Sequence, residues 1–163
     1  MAAEYEGSVE RVHQAFGDEQ YWLARLADSG ADYYSLDSMT VDSQGIDVMT
    51  TQTLRADRLP GVVTQFHRGN LSFVREEMWT PIGDGQATAT VRGSITGAPA
   101  ILSATAVLTP ARSGGGSRLE FKATVQVNVP LVGGKIENFI GSQLVDLLIA
   151  EQRFTTVWIT ENA

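Results

Sequence analysis

With 163 residues the chain is long enough to enclose a core of its own, and 43% apolar against 19% charged residues excludes a disordered polymer. Nineteen acidic and twelve basic residues leave a net charge of −7, which argues against a general nucleic-acid surface. The absence of cysteine removes disulfides, thiolate metal sites and cysteine nucleophiles together.

The opening Met1-Ala-Ala-Glu-Tyr-Glu6 lacks the basic flank and apolar core of a secretory signal. No apolar run approaches the roughly 18 residues of a membrane span, so a cytoplasmic location without stable membrane insertion is expected. A short strand can begin the chain. Ser8 then reads as the N-cap of a helix with Val9, Val12, His13 and Phe16 on one side. Gly17 breaks that helix and Asp18 caps a second one carrying Tyr21, Trp22, Leu23 and Leu26. His13 reads as a half-buried helix residue, not as a ligand or a catalyst.

From Ala31 the period changes to two. Strands are expected at 33–41 and 46–54, joined by the turn residues 42–45. Residues 55–66 interrupt the sheet, as a surface connector or as a lid, because apolar residues in a loop tend to cover something. A strand at 71–81 runs into Gly83-Asp84-Gly85, a tight hairpin signal. Further strands are expected at 86–96, 101–110 and 118–129, and a long helix at 131–159.

In that helix Ile136, Ile140, Gln143, Leu147, Ala150, Phe154 and Trp158 recur at spacings of three or four, with Phe139, Leu144, Leu148 and Val157 widening the stripe. Lys135, Asn138, Ser142, Gln152 and Thr156 fall opposite. Gln143 is central on the apolar side. A buried amide without a partner costs roughly 1–3 kcal/mol, so it either bonds to backbone or internal water, or orients the polar head of a ligand.

Pairing the last three strands through their turns aligns Ala87, Ala89, Val91 and Gly93 with Leu102, Ala104, Ala106 and Leu108, and these with Leu119, Phe121, Ala123 and Val125. Threonines, serines and charges occupy the other face, so the sheet has one wet and one dry side. The dry side is rich in Ala and Gly where larger residues would fill a core. Either the helix sinks onto this wall or a hollow is left. A vacant ~300 Å³ would cost some 7 kcal/mol at ~24 cal/mol per Å³, comparable to a whole domain's stability, so a large hollow would hold water, lipid or a specific ligand. Arg75, Glu77 and Trp79 share one strand face. A three-residue hairpin loop turns them inward, pairing Arg75 with Glu77 at the cavity wall, whereas a one-residue slip leaves them as a solvated pair.

No catalytic constellation is visible: His13 and His67 are the two histidines, a Ser–His–Asp arrangement is not formed, and neither metal ligands nor a cofactor loop is expected. The glycines at 114–116 read as a hairpin turn because a strand, not a helix, follows.

The early helix pair ending in Glu19-Gln-Tyr-Trp-Leu-Ala-Arg25, the segment Leu59-Pro60-Gly61, Glu77-Met-Trp79, Gly97-Ala98-Pro99 and Val129-Pro-Leu-Val-Gly-Gly-Lys-Ile-Glu137 together resemble the START-like superfamily of polyketide cyclases, Bet v 1 proteins and lipid-transport proteins. The likeness spans the whole chain and is strongest to an uncharacterised actinobacterial branch. It implies a single α+β domain over 1–163 with the helix-grip fold: a curved antiparallel β-sheet wrapped around a long C-terminal helix, with two short N-terminal helices. It further implies a hydrophobic small molecule, lipid or polyketide-like, held between sheet and helix without a cofactor. The residues expected to line that site are Leu54, Phe66, Trp79, Val91, Ala104, Ala106, Phe121, Ala123, Phe139, Gln143 and Leu147. A cyclase or dehydratase using Glu77, Arg75 or Gln143 to polarise a ketide is the alternative, and a docking module built on residues 59–66 is the third reading.

Overall fold

The structure is a computed structural model that describes residues 1–64, 67–112, 114–128 and 133–162. Its strands are β1 (Ala2–Tyr5), β2 (Tyr33–Asp42), β3 (Gly45–Leu54), β4 (Leu71–Trp79), β5 (Ala87–Ile95), β6 (Ala100–Pro110) and β7 (Ser117–Val127). They form one antiparallel sheet in the order β1-β7-β6-β5-β4-β3-β2. Two helices, α1 (Val9–Phe16) and α2 (Glu19–Asp28), follow β1, the short α3 (Gly61–Thr64) sits between β3 and β4, and the 29-residue α4 (Gly133–Glu161) ends the chain. The arrangement is α+β and helix-grip-like, as the resemblance implied. No described helix is long and apolar enough to cross a membrane.

Local chemistry sets these boundaries. The Ser8 side chain accepts from the Arg11 N–H at 3.2 Å and Asp18 accepts from the Gln20 N–H at 2.9 Å, so both N-caps act as expected. Asp84 and Gly85 both have positive φ, 54° and 77°, the signature of a two-residue turn that matches strand twist. The turn pairs Gly83 with Gln86, and one extra residue on the β4 side between Thr80 and Gly83 shifts the ladder to Trp79↔Ala89, Glu77↔Val91 and Arg75↔Gly93. Arg75, Glu77 and Trp79 therefore share the inward row. The three small-residue rows pair as the alternation required, with Ala89↔Ala106 and Ala106↔Phe121 among the matches.

The dry face is covered in two places. A large cluster joins Val12, Phe16, Tyr21 and Trp22 of α1 and α2 to Trp79, Val91, Ala106 and Phe121 of the sheet and Ile159 of α4. A small one joins Ala100, Val127 and Ile136, flanked by Ile95, Val125 and Ile140.

The facing side of α4 differs from the expected one. Ile136, Thr155 and Ile159 are buried and Leu144, Leu148 and Glu151 half-buried, whereas Gln143 and Ala150 are exposed. The inward line is advanced by one residue, about 100° around the helix. Apolar letters favoured Ala150 over Glu151 and Phe154 over Thr155, but partners on other elements make the polar residues the buried ones. Gln152, expected on the outer side, is half-buried and donates from Nε2 to the Glu4 carbonyl at 3.0 Å. Phe154 and Trp158 remain in contact at the margin, with ring centroids 5.8 and 5.9 Å from Tyr21.

The segment proposed as a connector or lid begins as a connector. Asp32 accepts from the Arg55 N–H at 2.7 Å and from Arg58 Nη1 at 3.0 Å, and this backbone bond holds the Asp32 carboxyl below the usual range. Val63 is buried. Phe66 and the 129–132 part of the helix approach lie outside the described residues.

Candidate functional site

Arg25 lies one helical turn after Tyr21 on α2, on the side facing the sheet. Trp22 fixes that orientation, donating from Nε1 to the Phe16 carbonyl at 2.7 Å, and the Arg25 guanidinium lies 4.3 Å from the Trp22 ring centroid. From there Arg25 Nη2 donates to Glu77 Oε2 at 3.0 Å on β4 and lies 3.2 Å from Glu151 Oε2 on α4. Arg75, beside Glu77 in the inward row, binds Glu151 through both terminal nitrogens at 3.2 and 2.6 Å. Arg25 is 7% exposed and Arg75 3%. Two cations and two anions from three elements are thus closed together away from bulk solvent.

A hydroxyl chain extends the cluster. Thr155 donates its proton to the Glu151 carbonyl at 2.7 Å, so the Tyr21 hydroxyl, 2.7 Å away, donates to Thr155. Tyr21 can then accept from Arg25 Nη1 at 3.4 Å. Burial moves the groups apart in titration. The Tyr21 and Tyr5 hydroxyls are pushed up by desolvation. Desolvation would raise the Glu151 carboxyl as well, but the charges of Arg25 and Arg75 overcome it and hold Glu151 below the usual carboxylate range. Arg25 shows the converse: desolvation lowers its affinity for a proton, and Glu151 and Glu77 more than restore it.

Beside this cluster is an internal cavity of about 40 Å³, room for two or three waters at ~10–15 Å³ each. Phe16, Trp79, Val91, Ala106, Phe121 and Leu148 form its apolar wall, and Tyr5, Arg25, Glu77, Glu151 and Thr155 its polar end. The strand β1 closes one side through Ala2, Ala3 and Tyr5. Among the described residues the Trp79 Nε1 is buried with no hydrogen-bond partner, as is Arg75 Nε, and an orphaned buried donor costs roughly 1–3 kcal/mol.

Of the residues expected at the site, Trp79, Val91, Ala106 and Phe121 line this cavity. Ala104 and Ala123 lie one register step further along the same inward rows, and Ala104 is buried but Ala123 is exposed. Leu54, Phe139 and Leu147 are half-buried and do not line it, and Gln143 faces solvent. Arg75 and Glu77 do not pair with each other: each is matched by a residue of a helix, Glu151 and Arg25 respectively. The void at Trp79 is much smaller than the several hundred Å³ the small residues suggested, because Phe73 lies over Gly93 and the helix pair fills the other end, but an open hollow of about 450 Å³ is lined by Val91, Ala104 and Ala123. Sequence reasoning passed over Arg25, Glu151, Tyr5 and Thr155. The signal was an arginine within an otherwise apolar helix face, and a glutamate interrupting another.

Among the described residues no group of three or more His, Cys, Asp and Glu side chains could hold a metal.

A curved sheet closed by a C-terminal helix around a charged, part-apolar cavity defines a helix-grip-like fold. Solved structures of low identity share it. TTHA0849 from Thermus thermophilus superposes with TM-score 0.61 at 10% identity, over 100% of this chain and 97% of that one. A STAR-related lipid transfer protein from Xanthomonas axonopodis gives 0.57 at 14%, over 94% and 82%. At the level of sequence the chain belongs to the family described as "Protein of unknown function (DUF2505)", whose model matches residues 1–159. It is 52% identical over 167 residues to the uncharacterized proteins Rv0481c of Mycobacterium tuberculosis and Mb0491c of Mycobacterium bovis, covering 99% of this chain and 96% of each relative.

Proposed function

We propose that this protein binds a small hydrophobic molecule with a polar head, the head in the cavity at Trp79 and the body along the alanine wall of β6 and β7. The carrying observation is the continuity of the wall. The row that lines the cavity through Ala106 and Phe121 continues to Ala104 and Ala123, and Ala123 is exposed although it belongs to the dry face. An enclosed volume of about 40 Å³ suits a head group, and the uncovered wall beside it suits an apolar tail. The fold shared with a lipid transfer protein supports this by analogy. A cyclase or dehydratase reading needs a cavity carboxylate raised toward neutrality, and Glu151 is moved the other way.

The test is native mass spectrometry of freshly purified protein, followed by thermal shifts with a library of apolar ligands. A ligand at 100 times its Kd adds about 2.7 kcal/mol of stability. Ala123→Trp fills the proposed track from an exposed position and is expected to weaken binding at least about tenfold without lowering the melting temperature. A library in which no ligand stabilises the protein overturns the reading.

A further inference from the structure

Resting on that reading, we infer that the head group is uncharged and oxygen-bearing, an alcohol first and a carbonyl second, and that carboxylates, phosphates and amines are rejected. Arg25, Arg75, Glu77 and Glu151 sum to zero charge, and every terminal nitrogen of both guanidinium groups already makes at least one bond among them or to Tyr21. An incoming anion would meet Glu77 and Glu151 at the polar end, where the lining cation Arg25 is already bonded to both, and would leave the buried cluster at −1. An incoming ammonium would leave it at +1. Either imbalance is far costlier in this water-excluded setting than at a surface.

What the cavity does offer is neutral hydrogen bonding. Trp79 is 4% exposed, lines the cavity, and its Nε1–H has no acceptor among the described residues. The bonds made by Glu77 fall on Oε2, leaving Oε1 to accept. A hydroxyl accepts from the indole and donates to the carboxylate; a ketone satisfies the indole alone. An indole N–H is a donor only and a carboxylate an acceptor only, so the pair reads a hydroxyl specifically.

The experiment compares 1-decanol, 2-decanone, decanoate and decylamine at pH 7 by titration calorimetry, with one tail and four heads. The expected order places decanol first, decanone within several-fold, and both charged ligands at least about tenfold weaker. Trp79→Phe keeps the ring and removes the donor, and is expected to weaken decanol and decanone together. Glu77→Gln turns the cluster to +1 and should raise decanoate affinity at least about tenfold while decanol changes less. Circular dichroism checks that both variants fold; the wild-type series decides the question if they do not. Decanoate or decylamine binding as tightly as decanol overturns the head-group inference and leaves hydrophobic binding standing. If the decyl series is silent, the heads of the ligands found in the library decide: neutral heads uphold the inference and charged heads overturn it. If nothing binds in either set, both conclusions fall.

Discussion

The two halves of α4 are similar in length and both amphipathic, yet they are anchored differently. Up to Leu147 the described side chain that the helix buries is Ile136, against the small cluster at the ends of β6 and β7, while Gln143, Val145 and Asp146 face solvent. From Leu148 onward it is tied down by polar groups: Glu151 to two arginines, Gln152 to the Glu4 carbonyl, and the Ile159 carbonyl to Arg11 Nη2 at 2.7 Å. The two halves carry similar apolar content, six residues of fifteen and seven of fourteen, yet they are covered to different degrees. Apolar content alone therefore does not say which part of an amphipathic helix is fixed; reciprocal partners on other elements do. The loosely covered half is the one beside the proposed ligand track.

This contrast breaks most sharply at Glu151. Glu151→Leu leaves Arg25 and Arg75 buried without their shared anion, and removing one side of a buried pair costs about 3–5 kcal/mol. Urea unfolding should show that loss. The quadruple variant that adds Arg25→Met, Arg75→Met and Glu77→Met should recover most of it, because replacing a whole buried charge cluster by apolar groups is often neutral. If Glu151→Leu costs less than about 1 kcal/mol, the cluster does not anchor the C-terminal half.

Acid should act through the same carboxyl. The folded-state value of Glu151 lies below its ordinary one. Its contribution is therefore fully present above the unfolded value near 4.3 and is lost as pH falls through the lower folded value. Urea midpoints measured from pH 6 down to pH 2.5 should fall more steeply in the wild type than in the quadruple variant, which lacks the Glu151 carboxyl. Parallel curves would show that Glu151 does not set the acid limit.

A smaller effect is expected on the small-residue wall. A Cβ on Gly93 would lie 2.6 Å from the Phe73 ring, so Gly93→Ala forces that ring to move, and overpacking of this kind costs about 1–3 kcal/mol. Adding Phe73→Leu should return part of the loss, and equal stabilities of the single and double variants would mean the ring does not need the glycine.

The fold was legible because its signals are local. Period-two runs, the Asp84-Gly85 turn and the two N-caps each act within a few residues and set the elements and their order, whereas the inward turn of Trp79 stayed open between two loop lengths because a one-residue bulge before the turn decides it. The site was legible only in part. Trp79, Val91, Ala106 and Phe121 follow from the alternation, since a strand face is fixed once its hairpin is. The charge cluster does not follow, because Arg25, Arg75, Glu77 and Glu151 come from three separate elements, and no spacing rule brings α2 to α4. A glutamate on an apolar stripe reads as an interruption until its arginines are in place. That same cluster turned the helix by one residue and moved Gln143 out of the core.

Gln143 therefore carries the smallest prediction and the cleanest test of that rotation. Facing inward, it would hold a buried amide, and Gln143→Ala would empty a core position or free its partners, changing stability by more than about 1 kcal/mol in one direction or the other. Facing solvent, as it does here, it sits in the class of surface substitutions that stay within about 0.5 kcal/mol. Alanine is the better helix former by roughly a few tenths of a kcal/mol, so the expected sign is a slight gain. Urea midpoints of Gln143→Ala and of Leu148→Ala, further along the helix and lining the cavity, should differ by about 2 kcal/mol or more, the usual cost of truncating a packed leucine. A larger loss at Gln143 than at Leu148 would place the apolar stripe back on its original line and remove Glu151 from the interior.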